Sequence, residues 1–513
     1  MRIYTSEHAD VDIPNVHLTE YVLQRVAQMP DATAFIEGAS GRTLTYQALS
    51  DGIRALAGGL TSRGVGPGTT WALMAPNLPE YAIAFHGLAY AGATVTTLNP
   101  TYGAEEIAFQ LKDAGASAII TVQPFLEVAR AAAKEAGITD IFLIGPGDAP
   151  SITTLMGTPL DAPAAVDPQN DVVALPYSSG TTGFPKGVML THHNLVANLA
   201  QVSGHLSLDT GDVCYAVLPF FHIYGMTVLM NFGLATGATI VTVPRFDLKQ
   251  MLELVQEHRI NRLYLVPPIV LALAKHPLVA EYDLSSVREI FSGAAPLSGE
   301  LADAAASRVG CPVGQGYGMT ELSPVSHATR LGEYKAGSVG SLVPNTEARL
   351  IDPETGDDAA PGESGELWIR GPQVMKGYLN NAEATAHTVD SDGWLHTGDI
   401  AEAHDDGHFA IVDRLKELIK YKGFQVPPAE LEALLINDPR IADVAVIGIP
   451  DDEAGEIPKA FVVRSPGSDI DEDGVKAIGQ HLAKYKQIRA VEFAKSIPKS
   501  ASGKILRREL RDS

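Results

Sequence analysis

Residues 177–187 read Tyr-Ser-Ser-Gly-Thr-Thr-Gly-Phe-Pro-Lys-Gly, and this stretch decides the fold. Residues 172–176 before it have the pattern of a buried strand, and residues 192–201 after it predict a helix with Thr191 as its N-cap. Glycines allow a tight turn in which backbone N–H groups face phosphate oxygens. The hydroxyl groups and Lys186 add donors and a positive charge. The stretch therefore predicts a phosphate-binding loop between a strand and a helix.

Two other interpretations of this loop have to be weighed. A surface loop rich in Ser, Thr and Gly would have the same composition, but the strand before it and the Pro-Lys-Gly at its end favour phosphate binding. A Walker A loop does not fit, because its lysine is followed by Ser or Thr, whereas Lys186 is followed by Gly187.

Strand and helix patterns alternate on the N-terminal side of the loop. We predict strands at residues 70–74, 93–98, 118–122 and 141–144, and helices at 80–91 and 124–136. Residues 145–170 are rich in Pro, Ala, Asp and Gly and predict a surface connection. Alternation of this kind is typical of an α/β architecture.

The pattern changes after about residue 340. Short strands separated by turn signals are predicted at residues 348–351, 365–370, 408–412 and 418–421. The rest of the chain predicts a helix at 428–436, strands at 442–448 and 459–464, a helix at 474–482 and then a tail. This is enough for a separate α+β domain. Residues 413–416 are mostly charged and adjoin no long linker, so we expect this joint to act as a hinge.

Composition and charge argue against several classes of protein. The 513 residues are 45% hydrophobic and 19% charged, which is typical of a globular chain with a sizeable core. An excess of 61 acidic over 38 basic residues gives a net charge of −23. This balance argues against a nucleic-acid binder and against docking on anionic membranes. Anionic substrates must therefore be held by a few local cations and backbone amides.

Cysteine use and apolar segments bear on the compartment. Cys214 and Cys311 lack metal-ligand spacing and favour a reducing compartment. Residues 1–14 contain three acidic residues and no apolar core, so we expect no signal peptide. The longest apolar stretch, residues 263–274, contains two prolines and is too short to cross a bilayer. We therefore expect a cytoplasmic protein.

A second motif lies at residues 315–324, which read Gln-Gly-Tyr-Gly-Met-Thr-Glu-Leu-Ser-Pro and follow a predicted strand at 311–314. Glycines on both sides of Tyr317 would let its ring meet a planar base, and such stacking contributes roughly 1–3 kcal/mol. Thr320 can donate to a phosphate, and Glu321 offers a hard oxygen ligand to Mg²⁺. Without the rest of the motif, a Thr-Glu pair more often marks the N-terminus of a helix.

The loop at residues 177–187 resembles the signature of the adenylate-forming superfamily, which includes acyl-CoA synthetases, peptide-synthetase adenylation domains and beetle luciferases. The chain from His17 to Arg508 is similar to that layout, and several segments look most like the 4-coumarate–CoA ligase branch. The resemblance implies an α/β fold: a large N-terminal body of several subdomains, with α/β layers and a β-barrel-like part, plus a small mobile α+β C-terminal domain. The implied boundaries are 1–413 for ATP and acid binding and 414–513 for the mobile domain, with the hinge near Lys416.

The same resemblance implies a nucleotide site. Glu321 would bind the metal and Thr320 the phosphate. A carboxylate with two acceptor oxygens matches two adjacent ribose hydroxyls, and Asp399 would bind the ribose together with Arg414. The implied ATP-binding residues are Ser178, Ser179, Gly180, Thr181, Thr182, Lys186, Gln315, Gly316, Tyr317, Thr320, Asp399, Arg414, Lys416 and Lys504.

Two lysines are implied to serve two successive reactions. Acyl-adenylate formation builds negative charge and needs a cation, which Lys504 would supply from a loop of small residues at 499–504. Without the resemblance, this segment would be read as a solvated basic tail. Lys420 and Gln425 would contact the adenylate.

Coenzyme A contacts are implied for Lys422, Gly423 and Arg245. On a strand, Lys420 and Lys422 would point to one face and Tyr421 to the other. The small domain would turn about its hinge between the two reactions to exchange the two lysines.

The acid pocket is predicted around residues 218–226, an apolar run interrupted by His222 and Tyr224. From the run alone, His222 would more often be a core residue; the resemblance places it at the substrate carboxylate. The implied pocket residues are His222, Tyr224, Val228, Phe291, Gly293, Ala294, Ala295, Gly316, Pro324 and Val325. Residues 220–230 contain no acid, so a substrate ammonium group would lie buried and unpaired, which argues against an α-amino acid. Phe291 and Val228 depart from the residues usual in plant coumarate ligases.

The resemblance therefore implies an ATP-dependent ligase that joins a hydroxycinnamate-type acid, such as 4-coumarate, to coenzyme A through an acyl-adenylate. ATP and Mg²⁺ are the implied cofactors, and coenzyme A is a substrate. The alternatives are a medium- or long-chain fatty acyl-CoA synthetase, a stand-alone enzyme that loads a carrier protein, and a luciferase-like oxygenase. The implied catalytic residues are Lys504, Lys420, Gln425, His222 and Thr320.

Overall fold

A computed structural model describes residues 2–178, 185–206, 208–422, 424–451, 454–500 and 503–511. The strands of these residues form four sheets, and the predicted alternation of strands and helices is confirmed. The predicted helix at 428–436 is confirmed with the same bounds, Pro428–Ile436.

The first sheet contains the strands on both sides of the phosphate-loop motif. Its strands, from one edge to the other, are Gly377–Tyr378, Lys186–Thr191, Val172–Ala174, Thr94–Thr97, Thr70–Met74, Ala116–Thr121 and Asp140–Leu143, with Tyr177–Ser178 paired to Lys186–Thr191. The central strands run parallel, whereas Lys186–Thr191 runs antiparallel to both of its neighbours in the sheet. Helices Ala104–Asp113 and Leu126–Ala136 pack on the outer face of this sheet.

The second sheet carries the other motif. Its strands in order are Ser341–Leu342, Val325–Ala328, Val313–Gly318, Glu289–Ser292, Arg262–Leu265, Val213–Ala216, Thr239–Thr242, Thr33–Glu37 and Thr43–Thr45. The strand predicted at 311–314 runs to Gly318, so Gln315, Gly316 and Tyr317 lie on a strand. The remaining helices of this part are Leu18–Val22, Tyr46–Thr61, Pro79–Tyr90, His192–Ser203, Phe232–Thr236, Leu248–His258, Pro267–Lys275 and Gly299–Val309.

One apolar core joins these two sheets. It contains side chains from both sheets and from the helices Tyr46–Thr61, Pro79–Tyr90 and His192–Ser203. Helix Pro79–Tyr90 has almost no polar side, and nearly all of its residues are buried because it lies inside this core. Burying apolar surface on both faces of a sheet in this way is typical of parallel α/β structure.

The third sheet is antiparallel and consists of Tyr4–Thr5, Glu347–Ile351, Gly365–Arg370, Leu395–Ala403 and Phe409–Arg414, with its own apolar cluster. Along the chain, helix Ala382–Thr388 lies between strands Gly365–Arg370 and Leu395–Ala403 of this sheet. The fourth sheet consists of Phe424–Val426, Ile419–Tyr421, Gly455–Arg464, Ile441–Asp451 and Ala490–Phe493. It packs with helices Pro428–Ile436 and Glu472–Ile478 around a further core.

The predicted C-terminal tail contains two further elements. Strand Ala490–Phe493 adds in parallel to Gly455–Arg464, and helix Arg507–Arg511 follows Lys504. Among the described residues, no helix is both long and apolar enough to span a membrane.

A close approach between a helix and a loop gives a test of this packing. A Cβ added at Gly59 would lie 1.6 Å from the backbone oxygen of Leu155, whereas one added at Gly204 would meet nothing within 4 Å. We expect Gly59→Ala to lower the free energy of unfolding by at least about 1–3 kcal/mol, because the backbone at Gly59 or Leu155 must move. Gly204→Ala should leave it nearly unchanged. Urea unfolding followed by circular dichroism measures both, and equal midpoints would contradict the packing.

Candidate functional site

The phosphate-loop motif begins and ends on a short hairpin. Ser178 pairs with Lys186 and Tyr177 with Gly187, and strand Lys186–Thr191 leads into helix His192–Ser203. The side-chain oxygen of Thr191 accepts a hydrogen bond from the Asn194 N–H at 3.1 Å, so the predicted N-cap is confirmed. Ser179, Gly180, Thr181 and Thr182 lie outside the described residues.

Two tyrosines hold the base of this hairpin. The Tyr177 hydroxyl donates to Asp113 Oδ2 at 2.6 Å, and its ring packs against Gly187, where an added Cβ would come within 3.0 Å of a ring carbon. The ammonium nitrogen of Lys186 lies 4.8 Å from the centre of the Tyr378 ring. The amide of Leu379 donates to the Gly187 carbonyl at 2.8 Å. No local pattern in the sequence indicates Tyr378, because it lies far along the chain from the motif.

Glu321 lies beside the same tyrosine. Its side chain is only 3% exposed, and its Oε1 accepts a hydrogen bond from the Tyr378 hydroxyl at 2.8 Å. Among the described residues, no three His, Cys, Asp or Glu side chains are grouped so that they could hold a metal ion by themselves. One carboxylate suits Mg²⁺ when substrate phosphates and water complete its shell. Glu321 therefore fits a magnesium ion that arrives with a nucleotide.

Tyr317, Asp399 and Arg414 meet where the second and third sheets join. The Tyr317 hydroxyl donates to Asp399 Oδ2 at 2.5 Å, and Arg414 Nε lies 3.4 Å from Asp399 Oδ1. Asp399 and Arg414 are also directly paired across two antiparallel strands. Burial and the neighbouring Asp399 carboxylate raise the pKa of Tyr317. The structure thus brings together three residues that are widely separated in the sequence.

The rest of the second motif lies along the same edge. The Gln315 side chain is buried, and its Oε1 accepts a hydrogen bond from the Leu297 amide at 3.3 Å. Thr320 begins a short 3-10 helix that ends at Leu322, and Glu321 lies within it.

Lys504 reaches this group from the C-terminal segment. Burial, and then the nearby Arg414 guanidinium, lower the pKa of Lys504 to about 8, although the carboxylates of Asp399 and Glu417 act in the opposite direction. Gly503 adopts a φ of +81° and packs on Val266, where an added Cβ would lie 3.4 Å from the side chain. The loop therefore rests on the large body of the protein, at the strand end before helix Pro267–Lys275.

An ion pair fixes the chain just after Lys504. The Arg507 guanidinium donates through Nη2 to both oxygens of Glu432, at 2.7 and 2.8 Å. Both side chains are mostly buried, and Glu432 belongs to helix Pro428–Ile436. Helix Arg507–Arg511 is thereby anchored to the small domain, which limits where the Lys504 loop can lie.

The predicted acid pocket lies next to Lys504. Burial, and then the positive charge of Lys504, lower the pKa of His222 to about 4, so the imidazole is neutral at pH 7. Its Nδ1 accepts a hydrogen bond from the Tyr224 amide at 3.3 Å. The Tyr224 hydroxyl donates to the Phe291 carbonyl at 3.4 Å.

Glycines let two aromatic rings close in on this pocket. A Cβ at Gly293 would lie 2.9 Å from the Tyr224 ring, and one at Gly316 would lie 2.6 Å from the Phe291 ring. The other predicted pocket residues lie on several segments of the large body. Val228 is buried in a π-helix, Gly225–Asn231, which sequence periodicity had not indicated. Ala294 has a φ of +69°, Ala295 follows it, and Pro324 precedes the buried Val325.

The predicted residues for the second reaction lie on another hairpin. Lys420 pairs with Gln425 between strands Ile419–Tyr421 and Phe424–Val426, and both side chains are exposed. The prediction that Lys422 shares a strand face with Lys420 is wrong. The strand ends at Tyr421, and Lys422 takes a φ of +49° in the turn. Gly423 lies outside the described residues.

Two predicted basic residues are exposed. Arg245 lies in the connection between strand Thr239–Thr242 and helix Leu248–His258. Lys416 lies between strand Phe409–Arg414 of the third sheet and strand Ile419–Tyr421 of the fourth.

Comparison with known proteins identifies the family. Residues 22–379 match the AMP-binding enzyme family, and residues 430–504 match the AMP-binding enzyme C-terminal domain. The chain belongs to the AMP-binding enzyme family. The resemblance to adenylate-forming enzymes is therefore confirmed.

Relatives of this AMP-binding enzyme match it over nearly its whole length. 4-Coumarate–CoA ligase 3 of Oryza sativa subsp. japonica is 46% identical, with 99% of this chain and 94% of the relative covered. 4-Coumarate–CoA ligase 2 of Nicotiana tabacum is also 46% identical, with 99% and 96% covered.

Solved structures of adenylate-forming enzymes have the same fold. ATP-bound MatB from Rhodopseudomonas palustris superposes with a TM-score of 0.89 at 29% identity, with 97% of this chain and 99% of MatB covered. The anthranilate CoA ligase AuaEII in complex with anthranoyl-AMP superposes with a TM-score of 0.90 at 28% identity, with 98% of each chain covered. The predicted fold class is confirmed.

The environment of Lys504 can be measured directly. Because burial lowers its pKa to about 8, we expect its amine to react half-maximally with acetic anhydride near pH 8 in the native protein. In the urea-unfolded chain the midpoint should rise to the ordinary value for lysine, about 10.4. Quantitative mass spectrometry of the peptide containing Lys504 gives both curves. Equal midpoints in the native and unfolded chains would contradict this placement.

Proposed function

We propose that this enzyme ligates a hydroxycinnamate-type acid, such as 4-coumarate, to coenzyme A in two steps, with ATP as the energy source. The proposal is carried by the position of Lys504, whose charge acts on the Asp399–Arg414 pair and on His222. A cation between a nucleotide group and an acid pocket suits the attack of a carboxylate on a phosphate. The identity of 46% over nearly the full length of two 4-coumarate–CoA ligases supports the acid and the acceptor.

In this proposal the nucleotide lies along the edge between the second and third sheets. The adenine stacks near Tyr317, and the ribose hydroxyls bind Asp399 with Arg414 beside it. The triphosphate reaches the loop that ends at Lys186. Glu321 would hold the magnesium ion that accompanies ATP, and this ion would neutralise phosphate charge.

In the first step, a carboxylate oxygen of the acid attacks the α-phosphorus of ATP, and pyrophosphate leaves. The products are the acyl-adenylate and pyrophosphate. Negative charge in the transition state is met by Lys504 and Thr320, because a preorganised cation or donor costs little reorganisation. The neutral imidazole of His222 hydrogen-bonds to the acid without competing for its negative charge.

In the second step, the thiol of coenzyme A loses its proton and its sulfur attacks the acyl carbonyl. The C–O bond to phosphate breaks, and AMP leaves. Lys420 and Gln425 are proposed to replace Lys504 at the adenylate when the small domain, 414–513, turns about Lys416. Lys422, Gly423 and Arg245 would then contact coenzyme A. The exposure of the Lys420–Gln425 hairpin supports a second orientation, because these side chains are free to dock.

The acid is proposed to be aromatic and flat. Gly293 lets the Tyr224 ring approach its backbone closely, and Gly316 does the same for the Phe291 ring, so a pocket beside these rings would be narrow. Residues 220–230 have no carboxylate to pair with a substrate ammonium group. We also propose that the enzyme works in the cytoplasm, in keeping with two buried cysteines that are both free thiols.

An acid panel tests the whole proposal. The enzyme is incubated with ATP, Mg²⁺ and 4-coumarate, cinnamate, octanoate, palmitate or phenylalanine, with and without coenzyme A. We expect pyrophosphate release to depend on the hydroxycinnamates and a thioester to form when coenzyme A is present. Preference for octanoate or palmitate would make the enzyme a fatty acyl-CoA synthetase. Pyrophosphate release without any thioester would indicate another acceptor, such as a carrier protein.

Two lysine variants test the division of labour. Lys504→Ala should slow acyl-adenylate formation by roughly 10²- to 10³-fold, because a charge-stabilising group is lost. Lys420→Ala should mainly slow thioester formation from preformed adenylate. The exposed Lys495 belongs to the same domain, so Lys495→Ala controls for loss of charge. Single-turnover assays of each half-reaction measure these effects, and equal losses in both half-reactions for both variants would refute the assignment.

A further inference from the structure

Tyr378 contacts two residues that serve different parts of the proposed ATP site. Its hydroxyl donates to Glu321 at 2.8 Å, and the face of its ring lies 4.8 Å from the Lys186 ammonium nitrogen. Glu321 follows the strand of the second motif, whereas Lys186 ends the phosphate loop. One side chain therefore connects the carboxylate proposed for magnesium with the cation proposed for phosphate.

The backbone around Tyr378 leaves it little freedom. Its amide donates to Thr385 Oγ1 at 2.9 Å, and Tyr378 pairs with Val188 in the first sheet. The Met375 amide donates to the carbonyl of Glu321 at 2.9 Å. The segment that carries Tyr378 is thus bonded to the strand of Lys186 and to Glu321 itself.

The hydroxyl contact restricts the carboxylate. With Oε1 bonded to a buried phenol, the carboxylate cannot rotate freely, and its remaining lone pairs keep one direction. Hydrogen-bond partners that orient a metal ligand typically matter by 10- to 100-fold in metal affinity. The ring contact acts on Lys186 in a second way, because an ammonium group is attracted to an aromatic face.

We propose that Tyr378 is a positioning residue that sets the direction of the Glu321 carboxylate toward magnesium and holds the Lys186 ammonium group at the phosphate loop. This inference rests on the proposed function, since it takes Glu321 and Lys186 as contacts of magnesium–ATP. Tyr378 itself touches neither the metal nor the phosphates. It acts through the two residues that do.

Equilibrium binding of ATP without any acid tests the hydroxyl contact. ATP affinity is measured by calorimetry over a range of Mg²⁺ concentrations for the wild-type enzyme and Tyr378→Phe. We expect the Mg²⁺ midpoint to rise by roughly tenfold in the variant, with ATP affinity in EDTA unchanged. Tyr334→Phe is the matched control, because the Tyr334 hydroxyl likewise donates to a carboxylate, Glu289 Oε1 at 2.9 Å, and neither residue is proposed to bind magnesium or ATP. Its Mg²⁺ midpoint should stay at the wild-type value.

A double-mutant cycle separates positioning from general stability. If Tyr378 acts through Glu321, Tyr378→Phe should add almost nothing to the Mg²⁺ midpoint in a Glu321→Gln background. A structural role alone would lower the thermal unfolding midpoint and leave the Mg²⁺ midpoint unmoved. An unchanged midpoint in Tyr378→Phe, or an equal shift in Tyr334→Phe, would overturn the proposal.

Fluorinated phenylalanines at position 378 test the ring contact without removing volume. Fluorine withdraws charge from the ring face and weakens its attraction for Lys186. Relative to phenylalanine, we expect ATP affinity in EDTA to fall by about twofold to fivefold as fluorination increases. Equal ATP affinities across the fluorinated series would overturn the proposed role of the ring contact with Lys186.

Failure of the proposed function would look different. If the wild-type enzyme releases no pyrophosphate with any acid, the proposed function fails. If the wild-type enzyme is active and ATP binding by Tyr378→Phe has a wild-type Mg²⁺ dependence, the positioning role alone fails.

Discussion

The hydrogen bond from Tyr317 to Asp399 is the contact on which the arrangement of the site depends. It joins strand Val313–Gly318 of the second sheet to the third sheet, and the other oxygen of Asp399 faces Arg414. Arg414 is the last residue of its strand, and the chain crosses from there to the small domain. The group proposed to bind the nucleotide and the joint between the domains are therefore built on the same carboxylate.

The charges around Lys504 and Arg414 are balanced by neighbouring residues and not by the net charge of the protein. The chain carries a net charge of −23, yet Lys504 loses proton affinity because it is buried near Arg414. Desolvation penalises the charged form of a lysine, so an anionic phosphate beside Lys504 would raise its pKa again. His222 is kept neutral by burial and by the same lysine. The site is thus prepared for an anion at the position where Lys504 and Arg414 converge.

The joint between the domains is also held by a carboxylate. Asp413 Oδ2 accepts a hydrogen bond from the Ala429 amide at 2.9 Å, in the first turn of helix Pro428–Ile436. Burial raises the pKa of Asp413. Asp413 belongs to the third sheet, and this helix packs on the fourth, so the bond crosses the joint. The Asp413–Ala429 bond holds the small domain against the third sheet, and the Arg507–Glu432 pair, within the small domain, fixes the segment that carries Lys504.

The sequence was enough to predict the α/β class, most element positions and the candidate residues of the site, because periodicity, turn residues and short motifs are local signals. It predicted the helix at Pro428–Ile436 and the cap at Thr191, both of which depend on neighbouring residues. It failed where local signals mislead, as at Lys422, where a turn ends the strand. Only in the folded chain does Tyr317 meet Asp399, Tyr378 link Glu321 to Lys186, and Lys504 become partly buried. Each of these contacts joins residues distant in the sequence, and no local pattern encodes which strand ends will meet.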